Sequence, residues 1–91
     1  MSKTIWKYEI EITDIQDVKM PKDAEILTVQ AQRGCIGIWA IVNSEETEIV
    51  RRTIIIKGTG HPINPEYNLK YIGTFQIYGG ELVFHVFEKL L

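Results

Sequence analysis

The sequence predicts an all-β fold: a small single-domain antiparallel sandwich or barrel of six or seven strands in hairpin order, with little or no helix. Apolar and polar residues alternate along several short stretches, as they do in strands with one buried face. Glycine, proline and asparagine separate these stretches, and β-branched residues are frequent within them. No stretch keeps the helical period of about 3.6 residues over several turns.

The first two strands are predicted from alternation. Residues 5–12 alternate strictly, with apolar and aromatic side chains on one face and charged side chains on the other. Residues 17–21 repeat this pattern briefly and end at a proline, which has no amide hydrogen to donate. A proline at this position is typical of a strand end or an edge strand.

The next two strands are predicted to form a hairpin. Residues 26–33 alternate, with Leu27 on the inner face, and Gly34 supplies a tight turn into residues 35–42. Residues 35–42 are apolar on both faces, so this strand needs cover on both sides.

The second half of the chain contains three more predicted strands. Residues 48–57 are rich in β-branched side chains, and because Arg51 and Arg52 are neighbours they leave opposite faces of this strand. Unless the strand bulges, one of the two arginines lies on the face that carries core residues and needs a partner. Residues 69–78 and 81–90 are joined by two glycines, which predict a two-residue hairpin turn.

Composition limits the class of protein. One domain covering residues 1–91 is expected, because two cores could not each bury enough surface in 91 residues. Hydrophobic residues at 45% and charged residues at 24% are typical of a folded protein. The formal charge of −2 lacks the basic excess of nucleic-acid binders, so a nucleic-acid partner is not expected. No membrane span or secretion signal is evident, which predicts a cytoplasmic protein.

Metal sites, cofactors and catalysis are not expected. Cys35 is the single cysteine, and with His61 and His85 it provides too few ligands for a structural zinc site. The sequence places no carboxylate or nucleophile beside His85, so packing in the core or at an interface is its favoured role. A small hydrolase that relies on His61 and His85 is the enzymatic alternative.

The long connection of residues 58–68 holds the best candidate for a ligand site. It opens with Gly58, Thr59, Gly60 and His61. The glycines allow positive φ and close approach, so backbone amides, the threonine hydroxyl and the imidazole could surround an anionic group such as a phosphate. The alternative is an ordinary turn in which the glycines satisfy local geometry and His61 caps a carbonyl.

Other side chains are predicted to complete this site if the ligand is nucleotide-like. Basic residues would bind the anionic group, and an aromatic ring would stack on the base. The candidates are Arg51, Arg52 and Lys57 for the charge and Tyr67 and Tyr78 for stacking.

The chain carries more apolar strand surface than one small core should need. Residues 35–42 and 81–90 are both apolar on two faces. This surplus predicts a homo-oligomer, with a symmetric dimer as the first expectation.

Several segments together resemble a family of small uncharacterised proteins carried by bacteriophages and prophages. They include IWKYE at residues 5–9, GTGHPI at 58–63, YIGTFQ at 71–76 and LVFHVFE at 82–88, and the likeness covers nearly the whole chain. The resemblance implies a phage or mobile-element origin. It brings no assigned activity, so it assigns no role to any residue.

Two functional hypotheses follow from the residues and from this resemblance. The first is a phage-encoded, non-enzymatic and oligomeric binding protein that counteracts host defence by sequestering a nucleotide-like signal or by binding a host effector protein. The second is a structural or assembly protein of a phage that binds protein only and takes no small molecule.

Overall fold

The computed structural model describes residues 2–91 and contains seven strands in two antiparallel sheets, which confirms the all-β prediction. A short 3-10 helix covers Tyr78–Gly80. The strands are β1 (Lys3–Ile10), β2 (Ile15–Pro21), β3 (Glu25–Gln32), β4 (Cys35–Asn43), β5 (Ile49–Gly58), β6 (Asn68–Ile77) and β7 (Leu82–Leu90).

The strand order is more mixed than a succession of hairpins. One sheet has the order β1-β4-β3 and the other β2-β5-β7-β6. Two pairs of consecutive strands, β3–β4 and β6–β7, are hairpins, whereas the connections after β1, β2 and β4 pass from one sheet to the other. The connection after β5 runs back past β7, so β5 and β6 are parallel on either side of it. Alternation along a strand carries no information about which sheet the strand joins.

The core lies between the two sheets and consists of alternate residues of their facing strands. Burying these apolar side chains is the main favourable contribution to folding. The buried residues of this cluster are Ile10, Met20, Ala24, Val29, Ile36, Ile38, Ala40, Val42, Ile54, Ile56, Phe75 and Val86.

The second faces of β4 and β7 are half-buried by neighbouring side chains of the same sheet. The ring of Trp39 lies over Gly37, and Lys7 Nζ is 5.3 Å from the Trp39 ring centroid. On the other sheet, Phe87 meets Tyr71 edge to face, with their centroids 5.6 Å apart. Long and aromatic side chains thus cover part of the surplus apolar surface.

Register shifts typical of β-bulges interrupt the alternation in β3 and β6. The register shifts between Ile26 and Thr28 and again between Tyr71 and Gly73. In β3 the extra residue is Leu27, which is exposed. The prediction that Leu27 faces inward is wrong, because the bulge puts Ile26 rather than Leu27 on the same face as the buried Val29.

The edge strands of the two sheets, β3 and β6, lie against each other. They approach closely at Gly73, immediately after the bulge in β6, where a Cβ would stand 2.9 Å from Val29 Cγ1. A hydrogen at this position lets the two backbones approach, so the sandwich is closed along this side.

Arg52 and Glu88 form an ion pair at the margin of the core, on the inner face of the four-stranded sheet. Arg52 Nε donates to Glu88 Oε2, and Nη2 donates to Oε1 at 3.0 Å. Arg52 Nη1 donates to the carbonyl oxygen of Ala24 at 2.7 Å. Hydrogen bonding to Glu88 raises the pKa of Arg52, against the opposing effect of burial. Arg51 is exposed on the other face, so the expectation that one of the two arginines needs a partner is confirmed.

We expect Gly73→Ala to lower the free energy of unfolding by about 1–3 kcal/mol, the usual cost of overpacking. The added methyl group would overlap Val29, which Val29→Ala relieves. Urea unfolding of both single variants and the double variant measures the coupling. The double variant should lose less stability than the sum of the single losses. Strictly additive losses would contradict the contact.

We expect Glu88→Gln to destabilise the protein by about 2 kcal/mol, because the guanidinium of Arg52 then loses its counter-charge. The loss is smaller than for a fully buried pair, since the Arg52 side chain keeps 20% of its surface exposed. Replacing both residues by Arg52→Met and Glu88→Leu should recover most of this loss. Denaturant unfolding checks both variants, and a Glu88→Gln protein as stable as the wild type would refute the role of the pair.

Candidate functional site

Several connections meet at one end of the sandwich, which we call the turn end. Antiparallel pairing brings them together, because the ends of β1, β3, β5 and β6 lie beside the starts of β4 and β7. They are residues 11–14, the turn at Arg33 and Gly34, the turn at residues 58–61 and the connection at residues 78–81. The N–H of Ile56 donates to the carbonyl oxygen of Asp14 at 3.1 Å, which ties the first connection to β5.

The turn at residues 58–61 is a tight turn that continues from the end of β5. The N–H of His61 donates to the Gly58 carbonyl oxygen at 3.1 Å, and the N–H of Thr59 donates to the Val83 carbonyl oxygen at 3.3 Å. Gly60 has a φ of 88°, which the third position of a type II turn requires. A Cβ on Gly58 would stand 3.0 Å from the His61 ring. Both glycines therefore serve the turn itself, and two of the amides expected to hold an anion are engaged within the protein.

A chain of hydroxyl and imidazole groups crosses the outer face of the four-stranded sheet beside this turn. Thr59 Oγ1 is 2.7 Å from His85 Nε2, and Thr74 Oγ1 is 3.1 Å from His85 Nδ1. The hydroxyl of Tyr71 lies 2.6 Å from Thr74 Oγ1. Because hydroxyl groups both donate and accept, this chain fits either neutral tautomer of His85. It positions His85 as a structural link between the turn, β7 and β6.

A cleft at the turn end lies between the β3–β4 turn and the β6–β7 connection, and we call it the hairpin cleft. Its volume is about 480 Å³. Isoleucines form its apolar part, and polar side chains and glycine turns form its rim. The lining residues are Ile12, Ala31, Gln32, Arg33, Gly34, Ile36, Gln76, Ile77, Tyr78 and Gly79.

Tyr78 and Arg33 are two of the three non-glycine residues in residues 2–91 with positive φ, at 53° and 51°. Arg33 and Gly34 make a two-residue hairpin turn, in which such angles are ordinary. Tyr78 begins the connection at residues 78–81, which is longer than the two-residue Gly79–Gly80 turn that the sequence predicts, because the last strand pair is Ile77 with Leu82. This longer connection projects the Tyr78 ring from the rim, where it is 74% exposed.

The structure places some of the predicted site residues together. Gly58, Thr59 and His61 line a groove of about 330 Å³ with residues 81–84, and Gly60 lies in the same turn but does not line the groove. Lys57 precedes this turn and lies 4.0 Å from Asp14 Oδ1 in an ion pair. Tyr78 belongs to the same end of the sandwich.

The remaining predicted site residues lie elsewhere. Arg52 forms an ion pair with Glu88. Arg51 lies opposite Lys19 in the register of β2 and β5, in the half of β5 remote from the turn end. Tyr67 lies beside the last residues of β7, with Lys89 Nζ 4.9 Å from its ring centroid. These three residues therefore belong to no common site with the turn at residues 58–61.

Sequence reasoning missed Arg33, Thr74 and Tyr71. Arg33 precedes a glycine between two predicted strands, which is the signal of a two-residue turn and thus of an exposed side chain at a hairpin tip. Thr74 faces His85 across β6 and β7 in the register that the predicted two-residue turn already implies, so the sequence could have found this pair. Tyr71 reaches Thr74 across the bulge in β6, and strict alternation could not have found that contact.

Residues 2–91 contain neither a metal-binding cluster nor a membrane-spanning helix. No three His, Cys, Asp or Glu side chains there are grouped so that they could hold a metal ion. The same residues include no helix long and apolar enough to cross a membrane.

Nearly the whole chain matches one known protein family. The family model described as a domain of unknown function, DUF7352, matches residues 1–90. The chain belongs to this family. No curated protein and no solved structure matches the chain. The DUF7352 match confirms the expected membership in an uncharacterised domain family, and the functional assignment has to come from the site itself.

The two glycines of the turn at residues 58–61 should respond differently to substitution. Gly60→Ala should cost about 1 kcal/mol, because alanine is strained at positive φ. This cost should not depend on His61. Gly58→Ala should destabilise only while the imidazole is present, so His61→Ala should relieve it. Thermal or urea unfolding of the three single variants and of each glycine variant combined with His61→Ala tests this. Equal relief of both glycine variants by His61→Ala would contradict the assigned roles.

Proposed function

We propose that this protein is a non-enzymatic binding protein that holds a nucleotide-like small molecule in the hairpin cleft. The observation that carries the proposal is Tyr78 on the rim of the cleft. Its backbone has a left-handed conformation, and its ring is exposed. The left-handed conformation is unfavourable for a bulky residue. The two glycines that follow Tyr78 adopt positive φ without this cost, so a turn could be made from them alone. Strain of this kind is concentrated at functional sites.

The chemistry of the cleft suits a planar ring that carries an anionic group. Tyr78 offers a face for stacking, and Arg33 offers a guanidinium that forms no ion pair or hydrogen bond within residues 2–91. Gln76 adds an amide that can both donate and accept hydrogen bonds. The isoleucine floor supplies apolar contact, and 480 Å³ falls within the range of small-molecule sites, which is about 300–1,000 Å³.

We place the anionic group of the ligand at Arg33 and treat the turn at residues 58–61 as a secondary contact. Two backbone amides of that turn are hydrogen-bonded within the protein, and the Thr59 hydroxyl is engaged with His85. Lys57 beside the turn adds positive charge at the same end of the sandwich. A ligand longer than one nucleotide would extend from the hairpin cleft toward this charge.

The biological setting that we propose is the cytosol of a phage-infected host. The resemblance to small phage and prophage proteins supports this setting. A protein that binds a signalling nucleotide without converting it removes that nucleotide from the host, and so counteracts a defence that depends on it. Sequestration requires a high protein concentration and no catalytic group.

A second candidate function is protein binding without a small molecule. The observation that favours it is the exposed apolar surface of β1, where Ile5 and Trp6 are accessible. In this case a host effector protein or a phage assembly component would occupy that surface.

The ligand proposal is tested by thermal shift and titration calorimetry with nucleoside mono-, di- and triphosphates and with cyclic mono- and dinucleotides. At 100 times the dissociation constant, a ligand should add about 2.7 kcal/mol of stability. Tyr78→Ala and Arg33→Ala should each weaken binding at least tenfold.

Matched controls are Tyr67→Ala and Arg51→Ala, which remove the same side chains far from the cleft. They should leave binding unchanged. If no nucleotide stabilises the protein, or if the control variants weaken binding as much as the cleft variants, the hairpin cleft is not the site.

A further inference from the structure

We propose that a second copy of this chain pairs with the free edge of β1, antiparallel and about a two-fold axis at Trp6. The three-stranded sheets of the two copies would then form one continuous sheet. Each sheet has two edge strands. β3 and β6 lie against each other, and β2 ends in a proline that cannot donate a hydrogen bond. β1 is the edge that remains for another chain, and this inference does not depend on the ligand proposal.

The backbone of β1 presents an unpaired row of donors and acceptors. The N–H of Ser44 donates to the carbonyl oxygen of Ser2 at 2.9 Å, so Ser2 and the even-numbered residues after it turn their backbone groups toward β4. The odd-numbered residues Lys3, Ile5, Lys7 and Glu9 therefore turn their N–H and C=O groups toward the free edge. A partner strand can satisfy all of them.

The first half of β1 extends beyond the cover of the other sheet. Thr4 and Trp6 lie on the same face as Tyr8 and Ile10, yet only the last two are covered to any extent by the core. Trp6 is 41% exposed on this face, and Ile5 is 56% exposed on the other. This half of the strand is accessible along its edge and on both faces, so a second strand has room to lie beside it.

The charge pattern of β1 is complementary to itself when the axis lies at Trp6. With the axis at Trp6, Lys3 lies opposite Glu9 of the partner subunit, and the reciprocal pair forms at the other end. Ile5 lies opposite Lys7 of the partner subunit, so no like charges meet there. Trp6 meets its own copy at a non-hydrogen-bonded position, where cross-strand side chains come closest and aromatic pairs are favourable.

Neighbouring registers place like charges opposite each other. Moving the axis to Lys7 sets the two copies of Lys7 face to face. Moving it to Ile5 sets Lys3 opposite Lys7 of the partner subunit. Like charges directly opposite are destabilising in antiparallel pairs. The arrangement of charges that usually protects an edge strand thus favours the axis at Trp6 over the axes at Ile5 and Lys7.

Sedimentation equilibrium of the full chain, from micromolar concentrations to about 1 mM, tests the pairing. The wild type should show a monomer–dimer equilibrium in this range. Lys3→Glu and Glu9→Lys should each raise the dimer dissociation constant at least tenfold, because each sets like charges opposite one another. The charge-swapped double variant should return to about the wild-type value, since Glu at position 3 then faces Lys at position 9.

The matched control is Glu11→Lys, which changes the same charge just beyond the paired segment and should leave the dissociation constant within about twofold. A second variant, Ile5→Pro, removes an N–H that points to the free edge and not to β4. It should abolish the dimer while circular dichroism shows a folded monomer. A wild-type protein that is monomeric throughout, or a double variant that fails to restore the dimer, would overturn the inference. Weakening by Glu11→Lys alone would show a different register and also overturn it.

Discussion

The contact between Val29 and Gly73 determines how the two sheets sit relative to each other. Where β3 and β6 touch, there is no room for a side chain on β6. This contact brings the β3–β4 and β6–β7 hairpins side by side, so their tips form the two walls of the hairpin cleft. It also leaves β1 and β2 at the opposite, open side of the sandwich. The proposed ligand site and the proposed self-association edge are thus two consequences of one close approach.

Local signals predicted the strands well, and they also predicted the need for a buried partner at position 51 or 52. Neighbouring residues of a strand must face opposite sides, and a charge that faces a core must be neutralised, so the pair of Arg52 with Glu88 follows from elementary constraints. The identity of the partner did not follow. Glu88 is remote in the chain, and only the sheet order brings β7 beside β5.

The misplaced features share one physical cause. A bulge changes the phase of alternation without a distinctive residue to mark it, which is why the sequence predicts the wrong face for Leu27 and does not place Tyr71 beside Thr74. The hairpin cleft was beyond local reasoning for a related reason. It combines residues from separate hairpins that meet only through packing between the sheets. Of its residues, the sequence predicts only Tyr78 as a ligand contact, and it predicts this contact at the turn of residues 58–61.

The glycine-flanked segment at residues 58–61 shows how a conspicuous motif can be accounted for by local geometry. One glycine supplies the positive φ of the turn, and the other makes room for an imidazole. The threonine between them joins the turn to His85, and His85 in turn joins β7 to β6. The motif therefore stabilises the end of the sheet on which the β6–β7 connection stands, and that connection carries Tyr78.

The mixed strand order also has a consequence for how the chain reaches its native state. Only the β3–β4 and β6–β7 hairpins join strands that are close in sequence, and the remaining pairings each close a loop before they form a ladder. Nascent structure should therefore begin as two separate ribbons, and the N-terminal strand should dock after β4 is in place. During that interval its apolar residues are available to other nascent chains, so the kinetics of synthesis and concentration bear on whether this domain assembles or aggregates.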